Sequence, residues 1–157
     1  MSITLQPGEI KRVDVVMTPL TTGWLSPVNY HDPDKAWSFE GKAYDGNLNT
    51  EAYTETSNAW LMLFTQGTPL VSKVRVYCGT DVDGNYNYVD AIITVQVYND
   101  DLEAYVPVFS GVVRKLQWVE LPLDKTRPVG DIRIKWNSIP PDGYGCLREL
   151  QYRVEEG

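Results

Sequence analysis

Apolar and polar residues alternate with a period of two in one segment after another. Residues 73–77 (KVRVY) alternate, as do 116–123 (LQWVELPL), 130–136 (GDIRIKW) and 147–155 (LRELQYRVE). In 90–100 (DAIITVQVYND), Ile93, Val95 and Val97 fall on one face and Ile92, Thr94, Gln96 and Tyr98 on the other. Successive side chains of an extended strand project to opposite faces, so this period predicts half-buried β-strands. Trp60, Trp118 and Trp136 sit within strand patterns and are expected in the core. Between the segments stand GTDVDGNYN, YNDDLEAY, LDKTRPVGD and SIPPDGYG. Their Gly, Asn, Asp and Pro residues supply the special φ angles that turns require. No window of a dozen residues has helical spacing with caps; one helical turn over 33–40 is the most the pattern allows. The first 20 residues read as strand, Pro7-Gly8 turn and strand, with Lys11 and Arg12 marking an edge. The prediction is an all-β sandwich or barrel of about eight short strands plus this N-terminal hairpin.

Bulk properties narrow the function. A chain of 157 residues, 43% apolar and 22% charged, suits one domain, and no repeat or long linker divides 1–157. The net charge of −7 argues against a nucleic-acid partner, which needs clustered cations. Only Lys11-Arg12 and Arg114-Lys115 stand as basic pairs. No segment approaches the ~20 apolar residues of a membrane span. The start, MSITLQPGEIKRV, has no basic run followed by an apolar one, so no signal peptide is read there. The expectation is synthesis in the cytoplasm, with a virion or extracellular destination reached by another route. Cys78 and Cys146 are too few for a disulfide scaffold and fit no zinc spacing. They read as two buried free thiols, with a single bridge as the alternative.

Catalysis finds little support. There is one histidine, His31, and no Ser-His-Asp ordering. Asp81, Asp83, Asp100 and Asp101 fall in turns, so the chain is not expected to be an enzyme. The unusual stretch is 42–53, KAYDGNLNTEAY, which packs oxygen-bearing side chains into one tight loop before the apolar run NAWLMLF. Gly46 permits a sharp turn and Asp45 supplies charge, as a loop around a hard cation requires. It lacks the Asp/Asn ladder and terminal Glu of an EF-hand. On residues alone, cation binding and plain turn chemistry both account for it.

The order AYDGNLNTEAY, NAWLMLF, VSKVRVYCG, ITVQVYND, LQWVELPL, DIRIKW and CLRELQYRV resembles the discoidin family. These are the coagulation-factor C-type, galactose-binding-like jelly rolls, which include many carbohydrate-binding modules. The resemblance covers about residues 24 to 155 and implies a sandwich of two antiparallel sheets. In many members the Asp-Gly loop binds a structural Ca²⁺. Carried over, Asp45 and Thr50 are side-chain ligands, Asn47 gives a backbone carbonyl, and Glu149 on the last strand is the distant carboxylate. The chain departs from the family at Tyr53, where a Trp is frequent.

The family's sugar binders hold ligands on loops at one end of the sandwich, with rings stacked on sugar faces. The loop aromatics here are Tyr30, Trp37, Phe39, Tyr53, Tyr86, Tyr88 and Tyr144. Tyr86 and Tyr88 alternate with Asn85 and Asn87, and form the first candidate site. Residues 29–37, with His31 and Trp37, form the second, and Tyr53 is a further candidate. The expected function is a non-catalytic binding module. Its main reading is a virion, tail or capsid-associated structural protein with a lectin-like fold and protein partners in the particle. Residues 1–20 would then be a docking hairpin. The alternative is a free-standing carbohydrate-binding module of a secreted or cell-surface protein, with a glycan as partner.

Overall fold

The structure is a computed structural model that describes residues 22–79, 90–139 and 143–155. The proposed docking hairpin at 1–20, and Asn85, Tyr86, Asn87 and Tyr88, lie outside the described residues. Ten strands lie within them. These are β1 Gly23–Leu25, β2 Asn29–His31, β3 Trp37–Ser38, β4 Ala52–Thr54, β5 Leu61–Phe64, β6 Leu70–Cys78, β7 Ala91–Asn99, β8 Ala104–Val113, β9 Trp118–Trp136 and β10 Gly145–Val154. All their pairings are antiparallel. One layer runs β9–β6–β10–β4–β3, with β1 on the far end of β10. The other runs β2–β5–β9–β7–β8. The architecture is a β-sandwich, as the alternation predicts, in the jelly-roll form that the resemblance implies.

Strand β9 belongs to both layers. Its first part pairs with β6 through Pro122 and again at Arg127 and Pro128, and 131–136 pair with β7. The stretch 123–131, expected to be a turn, is therefore a corner within one 19-residue strand. Register shifts at 122/127 and 129/131 bend the chain there. Asp124 closes the corner, accepting from Arg127 Nε at 2.9 Å and Nη2 at 2.7 Å.

The core fills from alternate positions. Ile93, Val95 and Val97 of β7, Ile132 and Ile134 of β9, and Val74 and Val76 of β6 are fully buried. Trp136 packs edge-on to Trp37, with ring centroids 5.8 Å apart. Of the three tryptophans expected in the core, only Trp136 is there. Trp60 and Trp118 lie half-buried on the outer faces, each with an arginine guanidinium over its ring. Alternation alone does not say which face of a sheet an amphipathic ring takes. Strand β8 was hidden by Pro107 and Gly111; Pro107 is exposed and stands at a register shift against β7, where a missing N–H is tolerated. The helical turn is a 3₁₀ segment at Glu40–Tyr44, a few residues after the expected 33–40.

Candidate functional site: the Asp-Gly loop and its neighbouring rings

The Asp-Gly loop folds onto β10. Asp45 Oδ1 accepts the Asn47 N–H at 2.9 Å, and Oδ2 accepts the Thr50 hydroxyl at 2.6 Å. Gly46 turns the chain at φ 78°, a left-handed angle that a Cβ would strain. Its N–H donates to Glu149 Oε1 at 3.2 Å. The adjacent residue, Arg148, donates to the Leu48 carbonyl at 2.8 Å and to the Gly79 carbonyl at 2.7 Å. A register shift between Leu147 and Glu149 accompanies this pair, and both charged side chains are buried. Asp45, Asn47, Thr50 and Glu149 thus lie together at this turn. Arg148 was missed, although two charges interrupting an apolar strand are a signal that sequence offers.

Glu149 is the anomaly. It is 1% exposed, and its Oε2 is buried with no hydrogen-bond partner. Burial raises its carboxyl to about 8, the Asp45 charge adds to the shift, and the Gly46 N–H opposes it. A buried carboxylate facing a second one, with an orphaned oxygen, lacks a positive partner. No group of three or more His, Cys, Asp or Glu side chains suited to a metal occurs among the described residues. The loop and Glu149 together offer two carboxylates, a hydroxyl and backbone carbonyls, the mixed oxygen set that Ca²⁺ accepts.

The rings gather beside this loop. Tyr53 on β4 stacks edge-on to Tyr144, centroids 5.2 Å apart, and lies 6.0 Å from Phe39. Phe39 is 58% exposed and caps the 3₁₀ turn at φ 55°, ψ 44°. A left-handed phenylalanine is costly, by about 1–2 kcal/mol. Lys42 Nζ sits 5.0 Å from its ring centroid. Of this trio, sequence reasoning selected Tyr53 as a site residue and left Phe39 and Tyr144 among the other loop aromatics.

A cleft of about 490 Å³ opens next to Trp37 and Glu40, lined also by Asn29, Tyr30, His31, Asp32 and Lys35. That volume suits a small ligand. Asp32 shapes its wall, accepting the backbone N–H of Ala36 at 3.1 Å and of Trp37 at 2.9 Å. His31 is exposed on this rim. Trp37 is a core residue: it is 5% exposed and its indole N–H donates to the Ala59 carbonyl at 3.1 Å. Its ring donor is therefore spent internally.

Comparison of the sequence with family models and with curated proteins finds no match. The fold, however, has solved counterparts. The family 32 carbohydrate-binding module of AlyQ, in complex with 4,5-unsaturated mannuronic acid, superposes with a TM-score of 0.65 at 14% identity, over 82% of this chain and 96% of that one. The family 32 module of Clostridium perfringens NanJ, in complex with galactose, gives 0.57 at 18% identity, over 84% and 91%. An F5/8 type C domain from Bacteroides fragilis gives 0.59 at 17% identity, over 86% and 99%. The fold is that of the discoidin-like, galactose-binding-like jelly rolls, and these neighbours are mostly carbohydrate-binding modules. Among the described residues no helix is long and apolar enough to cross a membrane.

Proposed function

We propose that this chain is a non-catalytic glycan-binding module that holds a sugar on the Phe39–Tyr53–Tyr144 ledge. The observation that carries the reading is the exposed Phe39 ring, held in a left-handed backbone conformation against Tyr53. Strain kept at an exposed ring supports a role in positioning a ligand. Rings supply the apolar faces on which sugar C–H groups stack, and Lys42 and the cleft at His31 and Asp32 supply polar partners. Structural neighbours in complex with galactose or an unsaturated mannuronic acid, and one that is a fucose-binding module, make these the first sugars to test. The neighbours favour a carbohydrate-binding module over the particle component.

The same reading gives the Asp45 loop a structural Ca²⁺. Asp45, Glu149, the Thr50 hydroxyl and the Asn47 carbonyl would hold it, and the ion would supply the positive charge that Glu149 lacks. It would organise the loop rather than touch the sugar. Isothermal titration against a sugar panel tests the module. Phe39→Ala and Tyr53→Ala are each expected to weaken binding by about 1 kcal/mol, roughly fivefold. Full affinity in both variants would remove the ledge from consideration. Tyr86→Ala in the same series tests whether the 81–90 loop shares the ligand.

A further inference from the structure

We propose that the outer face of the second sheet is a separate recognition site for a hexuronate within an acidic polysaccharide, with Arg133 and Lys135 as its cations. This goes beyond the ledge and does not depend on it. Ile132, Ile134 and Trp136 point inward, so Arg133 and Lys135 stand on the opposite, outward face of β9. The Arg133 guanidinium lies 3.7 Å from the Tyr105 ring centroid and 4.1 Å from that of Trp60. Its Nε and Nη2 both donate to Oε1 of its cross-strand partner Gln96, at 2.9 and 2.6 Å. Rings and amide together fix the plane of the group. One edge is taken by Gln96. Nη1 donates to nothing among the described residues, which leaves the Nη1/Nη2 edge as a fork for a carboxylate.

Lys135 strengthens the case. Its Nζ lies 4.9 Å from the Trp60 ring centroid and meets no carboxylate within ion-pair distance among the described residues. Asp131, two residues before Arg133, feels the guanidinium charge, but it is buried, accepts the Tyr105 hydroxyl at 2.7 Å and is not within ion-pair distance of Arg133. Beside Lys135, its partner Thr94 donates to Asn137 Oδ1 at 2.7 Å, and Ser110 adjoins both. Hydroxyls and an amide next to a carboxylate fork match a uronate ring, which carries both groups.

The other sheet provides the comparison. There Arg75 is clamped in the same way, 4.3 Å from Trp24 and 4.1 Å from Trp118, with Nε and Nη2 on Gln151. But that face neutralises itself. Lys73 pairs with Glu120 at 3.1 Å, and Arg153 pairs with Glu155 at 3.2 Å. In a chain with 21 acidic residues, Arg133 and Lys135 form an ion pair with none of those among the described residues. Two cations and a single fork suit one carboxylate among sugar hydroxyls, and are too few for a run of phosphates.

The test titrates the native chain with trimers of galacturonate, glucuronate and mannuronate and with neutral hexose trimers. The Trp60 indole N–H resonance and the dissociation constant are followed together. At least one acidic trimer is expected to move the Trp60 resonance while neutral trimers do not. Arg133→Lys keeps the charge but loses the fork, and is expected to weaken binding about tenfold. Lys135→Met is expected to weaken it about threefold, and Arg75→Lys to leave it unchanged. The proposal is overturned if no acidic trimer moves Trp60, if Arg133→Lys binds like the native chain, or if an oligonucleotide or polyglutamate binds there equally well. Acidic trimers that bind without moving Trp60 and are lost in Tyr53→Ala would place the site at the ledge, overturning this proposal and sparing the module. Because the Trp60 resonance is followed on the native chain, the test stays decisive even where a variant misfolds.

Discussion

Glu149 on the last strand accepts the N–H of Gly46, 103 residues earlier in the chain, and buries its other oxygen unpartnered. The loop and the strand are thus tied by a carboxyl that burial holds protonated and that has no positive partner among the described residues. Ca²⁺ is expected to raise the melting temperature, and EDTA to lower it. At a hundred times its dissociation constant a bound ion stabilises by about 2.7 kcal/mol, several degrees for a chain of this size. Glu149→Gln is expected to raise stability in EDTA, because a neutral amide suits the buried position better, and to abolish the response to Ca²⁺. Calorimetry of both proteins with and without the ion decides the matter; identical melting in all four samples would refute the metal.

The same carboxyl sets a pH dependence. Its folded value, about 8, stands above the ordinary 4.5. Between these values the folded state keeps a proton that the unfolded state has released. Stability in EDTA is therefore expected to fall as pH rises from about 4.5 to about 8, and to level off above that. Saturating Ca²⁺ should remove this slope, since the ion takes the place of the proton. Melting temperatures across this range, with and without the ion, measure both curves.

On the proposed ledge, Phe39 sets stability against binding. Glycine adopts φ 55° without strain, so Phe39→Gly is expected to melt higher, by up to about 1 kcal/mol, while binding sugar more weakly. Chemical denaturation and titration on the same sample test the trade. A variant that loses stability would show that the ring supports the fold rather than a ligand.

Gly145 faces the Trp136 ring so closely that a Cβ would lie 2.6 Å from its Cγ. Gly145→Ala is expected to cost about 3 kcal/mol, because Trp136 is held in place by Trp37 and cannot retreat freely. The loss should appear as a lower urea midpoint together with altered near-ultraviolet circular dichroism from the displaced tryptophans.

Cys78 and Cys146 are both buried and free, and burial pushes both thiols far above their ordinary range. For Cys146 the Glu51 carboxylate adds to the shift. Both are expected to ignore a thiol reagent such as DTNB in the native state and to react at once in denaturant. Rapid native labelling of either one would contradict the burial described.

Much of the fold was legible because alternation is a property of single strands. Residues 90–100 show it fully: the three positions assigned inward are those with no exposure. What alternation could not convey was continuity and side. The corner at 123–131 contains Pro128 and Gly130 and follows Pro122, which read as a turn, yet the chain stays extended and changes partners. Trp60 and Trp118 occupy strand positions but turn outward to cover arginines, a choice made by neighbours on other strands. Within the candidate site, Asp45, Thr50 and Glu149 were reachable through a family pattern. Arg148, and the meeting of Phe39 with Tyr53 and Tyr144, depend on where β3, β4 and β10 come together. No local spacing records that.

Strand β9 has a mechanical consequence. Because one continuous segment is hydrogen-bonded first into one sheet and then into the other, neither layer can be peeled away without dismantling its mate. Pulling on either end loads both at once, and the body has no seam along which to yield partway. Whatever adaptability the molecule has must therefore reside in the turns at the rim, which ride on a chassis that is either wholly assembled or wholly lost.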